Sequence, residues 1–271
     1  MGSESPCAIW GSRPWMPEGV YTLAHCRTCG TLYVDSDVTE EYLISVQSEF
    51  CPEVKYSTYQ SVFRPSEFVL NWLMMKNCRR PQQGDKLLDF GCGFGEFGTV
   101  VQKDGVQPNG VELVPQAVQQ TLKTWAGGSR VHAGSLEDAP FKKGEFQYIT
   151  AFETLEHLRD PIKTLSQMRE FLAEDGILAL SVPSADYFRF KFWFYRKQPL
   201  SGLVRRLMPG SMQGDRVLCH PHVYTFSVNS TRRMLELSGF KSIFVKTIGW
   251  RGKIGHIGTP VAHLLELASG G

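Results

Sequence analysis

The run Leu87-Leu88-Asp89-Phe90-Gly91-Cys92-Gly93-Phe94-Gly95-Glu96-Phe97-Gly98 decides the fold. Lys86 to Phe90 reads as a short buried strand, and glycines follow it at once. A strand that ends in glycines and opens a helix brings bare backbone close to a ligand, because no Cβ intervenes. Downstream the chain alternates. Val100–Lys103, Pro115–Trp125, Pro161–Leu172 and Thr231–Ser238 read as helices, the last stopped by Gly239. Asn109–Leu113, Ser129–Ala133, Phe146–Phe152, Gly176–Val182 and Ser242–Ile248 read as strands. Upstream, Phe68, Val69, Trp72, Leu73 and Met75 recur at helical steps after Pro65, with Ser66 as a cap, and Pro81 ends that helix. Short apolar strands alternating with helices predict an α/β, doubly wound, mostly parallel sheet of six to seven strands, covered on both faces.

The glycines satisfy two patterns. Gly93, Gly95 and Gly98 give G-x-G-x-x-G, the dinucleotide pattern, with Glu112 as the acid for a ribose. Asp89, Gly91, Gly93 and Gly95 give D-x-G-x-G-x-G. Register favours the second, because the first leaves Gly91 and Cys92 surplus between strand and loop. This loop resembles that of class I, Rossmann-like S-adenosylmethionine-dependent methyltransferases. A carboxylate at position 89 suits a ligand with an ammonium group and a sulfonium rather than a pyrophosphate.

The resemblance extends over roughly residues 60–250. Tyr148 to Pro161, YITAFETLEHLRDP, is similar to the fourth-strand motif of the ubiquinone-type small-molecule methyltransferases. His222-Val223-Tyr224-Thr225-Phe226-Ser227 with Ser238-Gly239-Phe240 resembles a later segment of the same group. The resemblance implies S-adenosyl-L-methionine as cofactor, held by Asp89, Gly91, Cys92, Gly93, Gly95, Glu112, Leu113, Ser135, Leu136, Ala151, Phe152 and Glu153. Asp89 would favour the amino-acid end, Glu112 the ribose hydroxyls, and Ala151 to Glu153 the methionine part.

Two departures stand out. Where the family often has an acid for the adenine amino group, this chain has Ser135, so adenine is expected to fall to its hydroxyl and the Leu136 backbone. After Gly249 no clear apolar run remains for a last strand. The expectation is a chain that stops short of that strand or a sheet that closes differently.

Residues 1–55 differ from 56–271 and read as a small separate lobe. The first fifty hold two basic residues against seven acidic ones. Cys26-Arg27-Thr28-Cys29-Gly30 is a C-x-x-C-G knuckle, half of a zinc ribbon, and Cys7-Ala8-Ile9-Trp10-Gly11 has tryptophan in place of the second thiol. Cys7, Cys26 and Cys29, with His25 or Cys51, would complete a zinc site; a ribbon that has lost its metal is the preferred reading. An insertion at about 185–220 follows the fifth strand, where such sheets open their crevice. Its part from Tyr187 to Arg206 carries six basic residues and no acidic one among seven aromatics, as a lid over an acceptor pocket would.

With 271 residues, 42% hydrophobic, and a net charge of +2, the chain is neither disordered nor basic enough to imply nucleic acid. It has no apolar run of membrane-spanning length and no signal-like start, so a cytoplasmic location is expected. The resemblance implies methyl transfer to a small-molecule or glycosylated metabolite, most readily onto oxygen, with His222, His220 or His157 as the base. A nicotinamide oxidoreductase and a binding module on the same fold are the alternatives. Oligomeric state is not legible.

Overall fold

The computed structural model describes residues 12–18, 21–34, 65–125, 127–186, 189, 222–248 and 263–269, some of them by backbone alone. His220, Cys7, Cys51 and nearly all of the expected lid lie outside these residues.

The N-terminal strands β1 (Ser12–Glu18), β2 (Tyr21–Cys26) and β3 (Leu32–Val34) are antiparallel. Helix α1 (Pro65–Cys78) leads to β4 (Lys86–Phe90), α2 (Glu96–Gln102) and β5 (Gln107–Glu112). Then come α3 (Pro115–Thr124), β6 (Val131–Ala133), β7 (Phe146–Phe152), α4 (Pro161–Phe171) and β8 (Leu172–Pro183). The chain closes with β9 (Tyr224–Thr225), α5 (Val228–Leu237), β10 (Lys241–Ile248) and β11 (His263–Ser269).

One sheet has seven strands in the order β10-β11-β8-β7-β4-β5-β6. The five from β8 to β6 are parallel. Successive residues of these strands face opposite ways, and two cores result. Leu87, Tyr148, Ile177 and Ala179 pack with Trp72, Met75, Phe97 and Val101 from α1 and α2. Leu88, Ile149, Leu178 and Leu180 pack with Leu165, Met168, Met234 and Leu235 from α4 and α5. The α/β, doubly wound expectation holds.

Three expectations are corrected. The last strand is present: β11 pairs antiparallel with both β8 and β10, from His263↔Pro183 to Ser269↔Ile177 on one side. Helix α1 begins at Pro65 itself, a favoured first helical residue, so Ser66 is inside the helix rather than before it. Only part of its apolar series faces inward: Trp72 and Met75 are buried, Val69 and Leu73 exposed.

The N-terminal strands continue into a second sheet, β1-β2-β3-β9, through Leu32↔Thr225 and Tyr33↔Tyr224. Ala24, Cys26, Cys29 and Tyr33 pack in the same core as β7 and β8.

Gly98 shows how tightly the first crossover closes. A Cβ there would run into the Trp125 ring. Gly98→Ala should lower stability by about 1–3 kcal/mol through overpacking. Urea unfolding checks this, and an unchanged midpoint would mean the ring has room to move.

Candidate functional site

The parallel strands run β4, β5, β6 in one direction from the centre and β7, β8 in the other. The order therefore reverses between β4 and β7, and in open sheets of this kind ligands bind beyond the carboxyl ends of the strands at that place. Asp89 and Thr150 pair across it. The Thr150 hydroxyl donates to Asp89 Oδ1 at 2.7 Å.

The loop after Asp89 requires glycine by conformation. Gly91, Gly93 and Gly95 have φ of 73°, 54° and 83°, a left-handed region costly for other residues. Space adds a second requirement at Gly91, where a Cβ would meet Thr154 at 2.5 Å. Polar side chains hold the loop. Thr121 Oγ1 donates to Gly93 O at 2.7 Å, and Trp125 Nε1 to Gly95 O at 2.7 Å. Glu112, at the tip of β5, accepts from Gly93 N through Oε2 and from Val114 N through Oε1, both at 2.9 Å. Its carboxylate is thereby oriented, and each oxygen keeps a lone pair for a hydroxyl.

The other expected cofactor residues spread along the same edge. The Cys92 thiol lies over Gly110, where a Cβ would meet it at 2.6 Å, and so faces β5. Leu113 is exposed and Leu136 buried. The Ser135 hydroxyl donates to Asp138 Oδ2 at 2.8 Å, so a carboxylate does stand beside the place where the family's acid was missed. Ala151 is buried in β7, and Phe152 stacks edge-on against Phe97 at 5.0 Å. Glu153 has φ 51°, a strained conformation for a non-glycine residue, and Ser181 Oγ donates to its Oε1 at 2.9 Å.

These residues fit S-adenosyl-L-methionine. Asp89 is nearly enclosed, and burial pushes its carboxyl up to about 7, with the Thr150 hydrogen bond opposing and Glu96 and Glu112 adding to the rise. A buried carboxylate without a cation suits a ligand that brings an ammonium group.

The expected bases divide. His157 ends a 3-10 turn, Leu155–His157, just past β7. His222 precedes β9, and Val223 N donates to Glu156 O at 2.8 Å, which brings the two segments together. The imidazole centroids are 4.8 Å apart. Both Nε2 atoms turn to Glu156 Oε1, at 3.8 Å from His222 and 4.0 Å from His157. Sequence reading missed Glu156, which is fully buried; burial and the charge of Glu153 push its carboxyl well above the usual range. A glutamate at a turn after a strand gives no local sign of burial. It also missed Thr121 and Trp125, which reach the loop from a separate helix.

At the N-terminal end Cys26 and Cys29 are buried, and the Cys29 thiol lies 3.3 Å from Thr31 Oγ1. Among the described residues no third donor joins them in a metal-binding group.

Known proteins decide the family. A model for the methyltransferase domain matches residues 69–243. The chain belongs to this methyltransferase domain family. The dinucleotide reading of Gly93, Gly95 and Gly98 gives way to it. Among curated relatives, a ubiquinone biosynthesis O-methyltransferase of Aromatoleum aromaticum is 28% identical over 113 residues, 40% of this chain and 48% of that one. One from Thiobacillus denitrificans is 31% identical over 111 residues, 40% and 47% of the two chains. The chain thus spans about half the length of the curated relatives it matches. Among solved structures, Burkholderia thailandensis 1,6-didemethyltoxoflavin-N1-methyltransferase, with 1,6-didemethyltoxoflavin and S-adenosylhomocysteine bound, superposes with a TM-score of 0.61. It is 13% identical and the match covers 95% of this chain and 98% of that one. A Thermotoga maritima methyltransferase, described as a possible histamine N-methyltransferase, gives 0.55 at 17% identity, over 84% and 100%. At these identities the likeness is one of fold.

A raised carboxyl pKa binds a cation only after losing its proton, so the Asp89 assignment has a pH signature. S-adenosylhomocysteine affinity should climb between about pH 6 and 8 in the unaltered protein and stay weak and flat in Asp89→Asn. Without ligand the sign reverses: the folded pKa lies above the unfolded one, so Asp89 lowers stability as pH rises from about 4 to 7. Calorimetric titration across pH tests the first statement. Identical profiles for the two proteins would remove Asp89 from the site.

Proposed function

We propose that the protein transfers a methyl group from S-adenosyl-L-methionine to a hydroxyl oxygen of a small-molecule or glycosylated metabolite. The observation that carries this reading is the pair of carboxylates at adjacent strand tips, Asp89 and Glu112, with the left-handed glycine loop between them. Two acceptor groups so placed fit a ligand with an ammonium at one end and a ribose diol in the middle. The curated relatives named for O-methylation support oxygen as the acceptor atom.

When bound, the cofactor supplies an electrophilic methyl on a sulfonium sulfur. Asp89 would hold the ammonium and Glu112 the ribose hydroxyls, and Ser135 with Asp138 stands where adenine is expected. Glu153, held by Ser181, borders the methionine part. Fixing both reactants in line supplies much of the rate, with effective molarities worth about 7–11 kcal/mol. A hydroxyl acceptor would have to give up one proton in such a transfer. The groups assigned to that proton are the His157 and His222 pair with Glu156, three residues beyond Glu153; His220 lies outside the described residues. The basic aromatic stretch 187–206 remains the proposed lid.

Gly93→Val should abolish S-adenosylhomocysteine binding while the fold persists, and Glu112→Ala should weaken it by at least about tenfold, the loss of one charged hydrogen bond. Binding like that of the unaltered chain in both would defeat the cofactor assignment. His222→Ala should cut turnover of a hydroxyl acceptor by about 10²–10⁴-fold with cofactor affinity unchanged. A loss of only a few-fold would point to an acceptor that needs no help with its proton.

A further inference from the structure

Glu156 is completely enclosed, and neither oxygen of its carboxylate has a hydrogen-bond partner of good geometry among the described residues. A second carboxyl, that of Glu153, stands close to it, so two acids crowd one enclosed place. Such crowding is costly unless something positive meets it. The Nε2 atoms of His222 and His157 face Glu156 Oε1 at 3.8 and 4.0 Å. These separations are too long for hydrogen bonds. One carboxylate oxygen and two imidazole nitrogens lie within 4.8 Å of one another. Bonds of about 2.0–2.2 Å to a tetrahedral cation put its donor atoms about 3.4 Å apart, so the two Glu–His separations must close by about 0.5 Å and the widest pair by up to about 1.4 Å to seat an ion.

We propose that Glu156, His157 and His222 form a binding site for one divalent transition-metal ion, zinc first among them. The donor set suits it: two imidazoles and a carboxylate favour zinc, cobalt, nickel or iron over magnesium or calcium. The geometry is set before any ion arrives. Glu156 and His157 are neighbours on one 3-10 turn, and the Val223 N–H to Glu156 O bond holds His222 against it. Val34 N donates to Val223 O at 3.0 Å, so β3 backs the loop from the other side. Three protein ligands leave a position for a water or an alcohol oxygen. An ion there would lower the pKa of a bound hydroxyl, taking over the work otherwise assigned to an imidazole base. That consequence rests on the hydroxyl-acceptor reading; ion binding itself does not.

The knuckle thiols are the competing donors, so the unaltered full chain is stripped with chelator and titrated with cobalt(II), and a thiolate charge-transfer band would mark any ion that they hold. Calorimetry should give one equivalent bound, and the visible spectrum should show ligand-field bands without a thiolate charge-transfer band. In the same chain Glu156→Gln and His222→Ala should each weaken cobalt binding by at least about 100-fold, more than the loss of an outer-shell partner. Cobalt should raise the thermal midpoint of the parent and of neither variant. Glu156→Gln keeps the shape of the side chain, so it decides the matter if His222→Ala fails to fold. Cobalt binding unaltered by Glu156→Gln, or a folded parent that binds no cobalt, overturns the site whatever the methyl acceptor proves to be.

Discussion

The glycine loop after β4 is held in a conformation that no other residue type adopts cheaply, and everything at the ligand edge is referred to it. Gly93 carries the burden: its N–H donates to Glu112 and its carbonyl accepts from Thr121. Trp125 adds a third anchor at Gly95 O while its ring fills the space that Gly98 leaves. The loop is thus fastened to β5 and α3 on one side. On the other it meets β7, through Asp89 with Thr150 and through Gly91 with Thr154. Strand tips that the sheet merely brings near each other are locked into one edge by these contacts.

Locking has an electrostatic cost that is also the site's selectivity. Asp89 is placed where water cannot reach it well, and its carboxyl is pushed up to about 7 as a result. Glu112 is placed differently, with two backbone N–H groups donating to its oxygens. The two carboxylates therefore differ in their surroundings. Among the described residues no cation stands against Asp89, while Glu112 already accepts two backbone N–H bonds, and the proposed ligand would bring an ammonium to the first and a diol to the second.

The sequence was most legible where structure is local. Asp89, the left-handed glycines and Glu112 lie within a single strand–loop–helix–strand stretch, and each position is dictated by its own conformation or by the end of its own strand. The pins on that loop were not legible, because Thr121 and Trp125 read as ordinary helix residues until α3 is laid beside it. The strand His263–Ser269 was missed for a related reason. Its Leu-Leu-Glu-Leu-Ala core has strong helix formers, and only pairing on both sides, with β8 and β10, makes it a strand. Pro65 misled by one residue, since it serves as the first helical residue and leaves Ser66 no capping role.

The proposed acceptor side is built on the opposite plan, from segments far apart in the chain. Glu156 and His157 follow β7, His222 arrives after the insertion, and the N-terminal β3 pairs with β9 to hold that arrival in place. Ser227, the N-cap of α5, donates to the carbonyl of Cys29, so the knuckle is tied to the same loop. Cys26 and Cys29 sit in the main core rather than at a separate surface. The knuckle therefore has a structural task whether or not it ever holds zinc: it closes the sheet that positions His222. A proposed cofactor half fixed by local conformation and a proposed acceptor half fixed by long-range pairing can change independently. Altering the N-terminal strands would move His222 without disturbing the glycine loop.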